Sequence, residues 1–275
     1  MATTGFLDVP GARLHYEVRG DGPPLVLLHG NPGEGAAFQF IAGPLAEHHT
    51  VITYDARGNS RSTLTTDDPG PQPVPERADD ALAIIDALTG EPPFVFGTSG
   101  GAVTSLDLLT RYPDRVRLVI AHEPSTFTVL PDAPVHAAFF AGVHAAFLAE
   151  GVDAAFTQFS QGIGGPPRTE PIDLPPEIGE LFEHMHANLA FMMGKEMLEV
   201  VGYPPDLIAL AKSAEKLIFA VGAESREYRP ALPALHLAPE IGAELIELPG
   251  DHAGYLHTAG PFAATLLEVL AAHAN

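Results

Sequence analysis

A chain of 275 residues with 46% apolar and 18% charged side chains can bury a full core and holds no tract that reads as disorder. Its formal net charge of −21, from 35 acidic against 14 basic side chains, repels nucleic acid and anionic membranes, so neither is an expected partner. With 0 cysteines the sequence excludes a disulfide framework, a thiolate nucleophile and a cysteine metal site.

The opening Met-Ala-Thr-Thr-Gly-Phe-Leu-Asp-Val-Pro has neither a basic n-region nor an apolar h-region. No later stretch runs about 20 residues without polar interruption, and a cytoplasmic location is the expectation. Phe6–Val9 and Ala12–Val18 alternate apolar and polar residues around Pro10-Gly11 and predict a hairpin. Six short, solidly apolar runs follow: Pro24–Leu28, Val51–Tyr54, Pro93–Phe96, Val116–Ala121, Leu217–Val221 and Glu244–Leu248. Runs of this kind suit strands buried on both faces. Helical patterns at Ala36–Glu47, Arg77–Leu88 and Ala102–Arg111 lie between them. The alternation predicts an α/β fold with a mostly parallel, eight-stranded sheet flanked by helices.

Between Ser125 and Ser213 the strand signal stops. Ala133–Leu148 and Asp153–Phe159 read as helices, and Gly162–Pro176 as a Gly/Pro-rich connection. A further helix carries Phe182, Met185, Leu189, Met193 and Met197 on one stripe at helical spacing. The expectation is a helical cap at 125–213, inserted into a core domain formed by 1–124 and 214–275. Part of the stripe, Met185, Leu189, Met192 and Met193, is a candidate wall of an apolar substrate pocket.

Gly97-Thr98-Ser99-Gly100-Gly101 follows a strand pattern and precedes a helical one. A nucleophile elbow pins its serine in such a turn, with small flanking residues because backbone packs closely around it. Ser99 is the candidate nucleophile, and Gly97 and Gly101 are the elbow supports. An oxyanion requires fixed N–H donors. Gly100 offers one at a helix start, where its N–H has no intrahelical partner. Asn31, in Leu27-Leu28-His29-Gly30-Asn31-Pro32, is the candidate for the second, with His29 and Gly30 supporting that loop. Among 13 histidines, His252 stands just past the last strand pattern and before the terminal helix, the place for a base that follows the serine in chain order.

These features, with Tyr54-Asp55-Ala56-Arg57-Gly58-Asn59-Ser60-Arg61-Ser62, resemble the α/β-hydrolase superfamily over nearly the whole chain. The resemblance implies a Ser-His-acid triad with no cofactor. The family's usual acid follows the seventh strand, where this chain reads Gly222-Ala223-Glu224-Ser225-Arg226 and puts Ser225 at the expected aspartate position. Two carboxylates could replace it. Glu123 directly follows the sixth strand in Ala121-His122-Glu123-Pro124, a placement similar to that of the fungal zearalenone lactonase. Glu224 is the alternative, one residue from the usual place.

Other pairs point elsewhere. His48-His49, and His184 with His186, project to different faces, so no metal site is expected. Asp55 and Arg57 read as salt-bridging residues that fix their loop, and His122 as lining or supporting the pocket. The expected activity is hydrolysis of a carboxylic ester or lactone through an acyl-enzyme, with a small, apolar molecule as substrate. Haloalkane dehalogenases and epoxide hydrolases use an aspartate nucleophile, and with 0 tryptophans the dehalogenase halide ligand is missing. Cofactor-free perhydrolase or haloperoxidase-like chemistry, C–C bond hydrolysis and a hydrolase-fold receptor with little turnover stay open, as does a homodimer.

Overall fold

The structure is a computed structural model that describes residues 2–67, 69–164 and 178–274. Strands β1 (Thr3–Val9) and β2 (Ala12–Arg19) form the expected hairpin, paired from Thr3 opposite Val18 to Val9 opposite Ala12. Gly11, at φ +82°, supplies the left-handed residue that so short a turn needs. The chain continues through β3 (Pro24–Leu28), α1 (Gln39–Ala46), β4 (Thr50–Tyr54), β5 (Thr63–Leu64), α2 (Val74–Leu88) and β6 (Phe94–Thr98). Then come α3 (Gly100–Arg111) and β7 (Leu118–His122).

Among the described residues between β7 and β8, the regular structure is helical. The helices are α4 (Ala133–Glu150), α5 (Val152–Ile163), α6 (Ile178–Phe191), α7 (Met197–Val201) and α8 (Leu207–Lys212). The order closes with β8 (Leu217–Gly222), α9 (Leu232–Ile241), β9 (Glu244–Leu248), α10 (Gly254–His257) and α11 (Ala259–Ala272). The sheet runs β1-β2-β4-β3-β6-β7-β8-β9 and is parallel from β4 to β9. Among the described residues it has nine strands rather than the expected eight, because β5 pairs with Ala12 and Arg13 of β2. A strand of 2 residues is too short to carry a readable period. The strands expected as sixth and seventh are therefore β7 and β8.

The solid apolar runs are explained by the two-residue period of a strand. Val26 and Leu28 of β3 join one core with Val95, Val119 and residues of α2, α3 and α9. Leu25 and Leu27 face the opposite way, into a second core with Phe96, Ile120 and residues of α1 and α11. Both faces of the central strands are covered, so neither face has use for polar side chains.

The inserted helices have a smaller core of their own, built on Phe140, Val143, Leu189, Met193 and Met197. Their apolar stripe departs from the expected continuous helix: Met192–Glu196 forms a turn of π-helix between α6 and α7. A π turn inserts a residue and shifts the stripe, which brings Met192 and Met193 inside together and aims Glu196 at the sheet domain. Most of the expected Gly/Pro-rich connection lies outside the described residues. Among the described residues, no helix is long and apolar enough to cross a membrane.

Candidate active site

Ser99 sits between β6 and α3 at φ +53° and ψ −118°, a conformation that residues with a Cβ rarely adopt. It is over-determined by its surroundings: its N–H donates to His122 O at 2.9 Å, and its carbonyl accepts from Val103 at 3.2 Å. A Cβ at Gly97 would stand 2.5 Å from Gly101 O and 2.8 Å from Ala102 Cα. One at Gly101 would collide with the carbonyl of Leu28, and one at Gly30 would lie 2.7 Å from Ser99 Cβ. The glycines are thus where the turn, the β3 loop and α3 meet.

Glu123 is the first residue after β7, also at positive φ, +48°. It is fully buried, and its Oε2 lies 2.5 Å from His252 Nδ1. Its other oxygen accepts the N–H of Gly222 at 2.8 Å and the hydroxyl of Ser225. Burial pushes this carboxyl up, but the hydrogen bonds and the neighbouring histidines overcome it and hold the pKa at about 2. An ionised carboxylate only accepts, so Nδ1 of His252 carries the proton and Nε2 is left as the acceptor. Ser225, at the family's usual acid position, helps to hold a carboxylate supplied by the neighbouring strand. Glu224 is exposed, and its backbone N–H donates to Gly250 O at 2.9 Å.

Ser99 Oγ pairs with Ser125 Oγ at 2.9 Å. Sequence reading passed over Ser125, although it stands only two residues after Glu123. Gly100 opens α3 and Asn31 stands beside it, so close that a Cβ on Gly100 would collide with Asn31 Oδ1. The Asn31 side chain donates to Glu196, a fully buried carboxylate that also accepts from Asn59 and Arg77, each at 2.9 Å. Glu196 was missed as well, because one glutamate within a Met-rich helical pattern reads as a solvated position. A second tie runs from Asn188 of α6 to Pro32 O at 3.1 Å and to Ser60 Oγ at 2.9 Å. The inserted helices therefore hold the loop that carries Asn31.

Two buried histidines support the site. Ala56 N–H donates to His29 Nε2 at 3.1 Å, so His29 Nδ1 carries the hydrogen and donates to Gly30 O at 3.0 Å. His122 lies beneath the site and does not line the cavities around Ser99. Its ring stacks between those of Phe96 and His252, its Nδ1 is 3.0 Å from Thr98 Oγ1, and burial lowers its pKa to about 4. It is neutral at ordinary pH.

Two cavities meet at Ser99. A narrow one of about 30 Å³ touches Gly100 and Ser125 and ends on apolar side chains, Met192 among them. A wider cleft of about 580 Å³ touches His252, Asp251 and Met185. Ser99 and Asn31 line both. Of the four candidate pocket residues, Leu189 and Met193 line neither cavity. Both belong to the core of the inserted helices.

Asp55 and Arg57 each fix their loop through a different partner. Asp55 accepts from Arg61 at 2.8 Å and from Gly35 N–H at 2.9 Å, while Arg57 pairs with Asp80 at 2.6 Å. The paired histidines diverge, with His49 Nδ1 on Pro23 O, His184 Nδ1 on Glu34 and His186 Nε2 facing Asp153.

Residues 23–150 match the family model described as alpha/beta hydrolase fold. The chain is 34% identical to the uncharacterized hydrolase YraK of Bacillus subtilis, over 97% of this chain and 95% of that one. It is 33% identical to a zearalenone hydrolase of Bionectria ochroleuca over a shorter span, 46% of this chain and 49% of that one. Among solved structures, a thermophilic esterase from Thermogutta terrifontis superposes with a TM-score of 0.78 at 19% identity, covering 99% of each chain. On its fold, its elbow and its full-length likeness to a hydrolase, the chain belongs to the α/β-hydrolase superfamily.

Proposed function

We propose that the protein is a serine hydrolase that cleaves a carboxylic ester or lactone of a small, apolar molecule through an acyl-enzyme. The observation that carries the reading is the 2.5 Å pairing of Glu123 with Nδ1 of His252, at the edge of the cleft that Ser99 lines. In this reading Ser99 Oγ attacks the carbonyl carbon and passes its proton to His252 Nε2. Glu123 holds the ring and stabilises the imidazolium, and the N–H groups of Gly100 and Asn31 receive the oxyanion. His252 then protonates the leaving oxygen. Water, deprotonated by the same nitrogen, releases the acid and restores Ser99.

The partial likeness to a zearalenone hydrolase lends support to a small-molecule substrate. The test is a panel of p-nitrophenyl esters, alkyl esters and lactones assayed with the wild type, Ser99→Ala, Glu123→Gln and Glu224→Gln. The reading expects Ser99→Ala to abolish turnover and Glu123→Gln to reduce it by orders of magnitude, with Glu224→Gln close to wild type. Full activity in Ser99→Ala contradicts it.

A further inference from the structure

The two cavities that meet at Ser99 are unequal in size and chemistry, and each touches a different part of the catalytic apparatus. His252 lines the wide cleft and is absent from the narrow cavity, whereas Gly100 and Ser125 line the narrow cavity and are absent from the cleft. On the serine-hydrolase reading, the leaving oxygen must take its proton from His252, so the group attached to that oxygen extends along the cleft. The acyl carbon bonds to Ser99 with its oxygen toward Gly100, which leaves its remaining substituent the narrow cavity.

We infer that the narrow cavity is the acyl site and the wide cleft the alcohol site, so that the protein selects esters of short-chain acids with bulky alcohols. Val201 sets the chain-length limit. At about 30 Å³ the acyl site holds on the order of two or three water-sized groups. Its lining includes hydrocarbon, aromatic ring and thioether, from Phe159, Ile163 and Met197 among others, and among the described residues no charged side chain lines it. The cleft mixes Asp251, His257 and Ser160 with Phe182 and Met185, which suits an alcohol carrying both apolar bulk and polar groups.

Beyond the acyl site lies a third cavity of about 430 Å³, reaching exposed Leu198 on α7. Phe127, Phe140 and Val201 line both, so the partition between them is one side chain thick. The two rings pack against each other with centroids 5.1 Å apart and belong to the core of the inserted helices. Val201, only partly buried at the end of α7, is the member that can be cut back without dismantling that core.

The chemistry balances without a further reactant. The Ser99 Oγ–acyl bond forms as the bond from acyl carbon to leaving oxygen breaks, and the Ser99 proton leaves on the alcohol. Water then supplies a hydroxyl to the acyl carbon and a proton to Ser99.

The experiment measures kcat/KM on the full chain for p-nitrophenyl acetate, butyrate and octanoate, and for phenyl and 2-naphthyl acetate. The wild type is expected to favour acetate or butyrate over octanoate by roughly 10-fold or more and to hydrolyse the two acetates within about 3-fold of each other. Val201→Ala, which opens the partition, is expected to raise the octanoate-to-acetate ratio about 5-fold or more and to leave the naphthyl-to-phenyl ratio in place. Met185→Trp, which fills the cleft, is expected to lower the naphthyl-to-phenyl ratio alone. Each ratio is taken within one variant, so a loss of folded protein cancels. A wild-type preference for octanoate, an acyl ratio unmoved in Val201→Ala, or an acyl ratio moved by Met185→Trp overturns the assignment. Absence of Ser99-dependent hydrolysis across both series contradicts the serine-hydrolase reading and the inference with it.

Discussion

The hydroxyl of Ser225 donates to Oε1 of Glu123, the carboxylate whose Oε2 meets Nδ1 of His252 at 2.5 Å. On the serine-hydrolase reading, the loop after β8 thus supports an acid that arrives from β7. In Ser225→Ala, Oε1 keeps the Gly222 N–H at 2.8 Å and loses its second donor. One hydrogen bond contributes about 0.5–1.5 kcal/mol, so kcat should fall about 3- to 10-fold with little change in KM. Steady-state kinetics on a p-nitrophenyl ester checks this, and unaltered kcat would show that the Ser225 contact does not matter to catalysis.

On the serine-hydrolase reading, Ser125 is placed to hold the nucleophile. Its hydroxyl lies 2.9 Å from Ser99 Oγ on the side of the narrow cavity. Removing it in Ser125→Ala leaves Ser99 Oγ without that partner, and the rate of acylation is expected to drop about 10-fold. Ser125→Thr, which keeps the hydroxyl, should recover much of the loss. Stopped-flow measurement of the nitrophenolate burst separates acylation from the later steps.

Glu196 fastens the π turn to the loops of Asn31 and Asn59 and pairs with buried Arg77 at 2.9 Å. Glu196→Ala would leave the guanidinium buried without its carboxylate, a change that costs about 3–5 kcal/mol. The urea midpoint should fall accordingly, and less in Glu196→Gln, which retains an acceptor for Asn59. A midpoint unchanged in Glu196→Ala would mean that the inserted helices do not depend on this tie.

Stability should weaken as the solution is acidified. His122, held neutral by burial with a pKa of about 4, takes up its proton in the unfolded chain near the ordinary 6.5 but not in the folded one. Its contribution is present above about pH 6.5 and is lost as pH falls toward 4, on the order of 3 kcal/mol in all. Glu123, lowered to about 2 from 4.5, adds a second loss between those values, because protonation removes the charge that its hydrogen bonds stabilise. Urea titrations at several pH values should show both windows, with the upper one missing in His122→Phe.

The sheet was legible in the sequence because strands buried on both faces spell solid apolar runs, and β3 begins and ends where the pattern places it; edge strand β9 does too, although only Leu248 of it is buried. The elbow and His252 could be read for a related reason: each sits at the end of such a run. What escaped was set by distant partners. Nothing local to Ser125 announces the nucleophile, since the contact arises from the register of β6 against β7, where Thr98 stands beside His122. The π turn hides within an unbroken helical pattern. Its consequences for Met193 and Glu196 emerge only when α6 and α7 are packed on the sheet domain. The choice between Glu123 and Glu224 likewise rests on direction, because one is buried against His252 and the other faces solvent.

The most direct test of the account is covalent trapping of the nucleophile. A fluorophosphonate reacts with an activated serine and should add once to the wild type, with the adduct mapped by mass spectrometry to Ser99. The account predicts that labelling disappears in Ser99→Ala and slows greatly in Glu123→Gln. An adduct on another residue, or labelling that persists in Ser99→Ala, would contradict it.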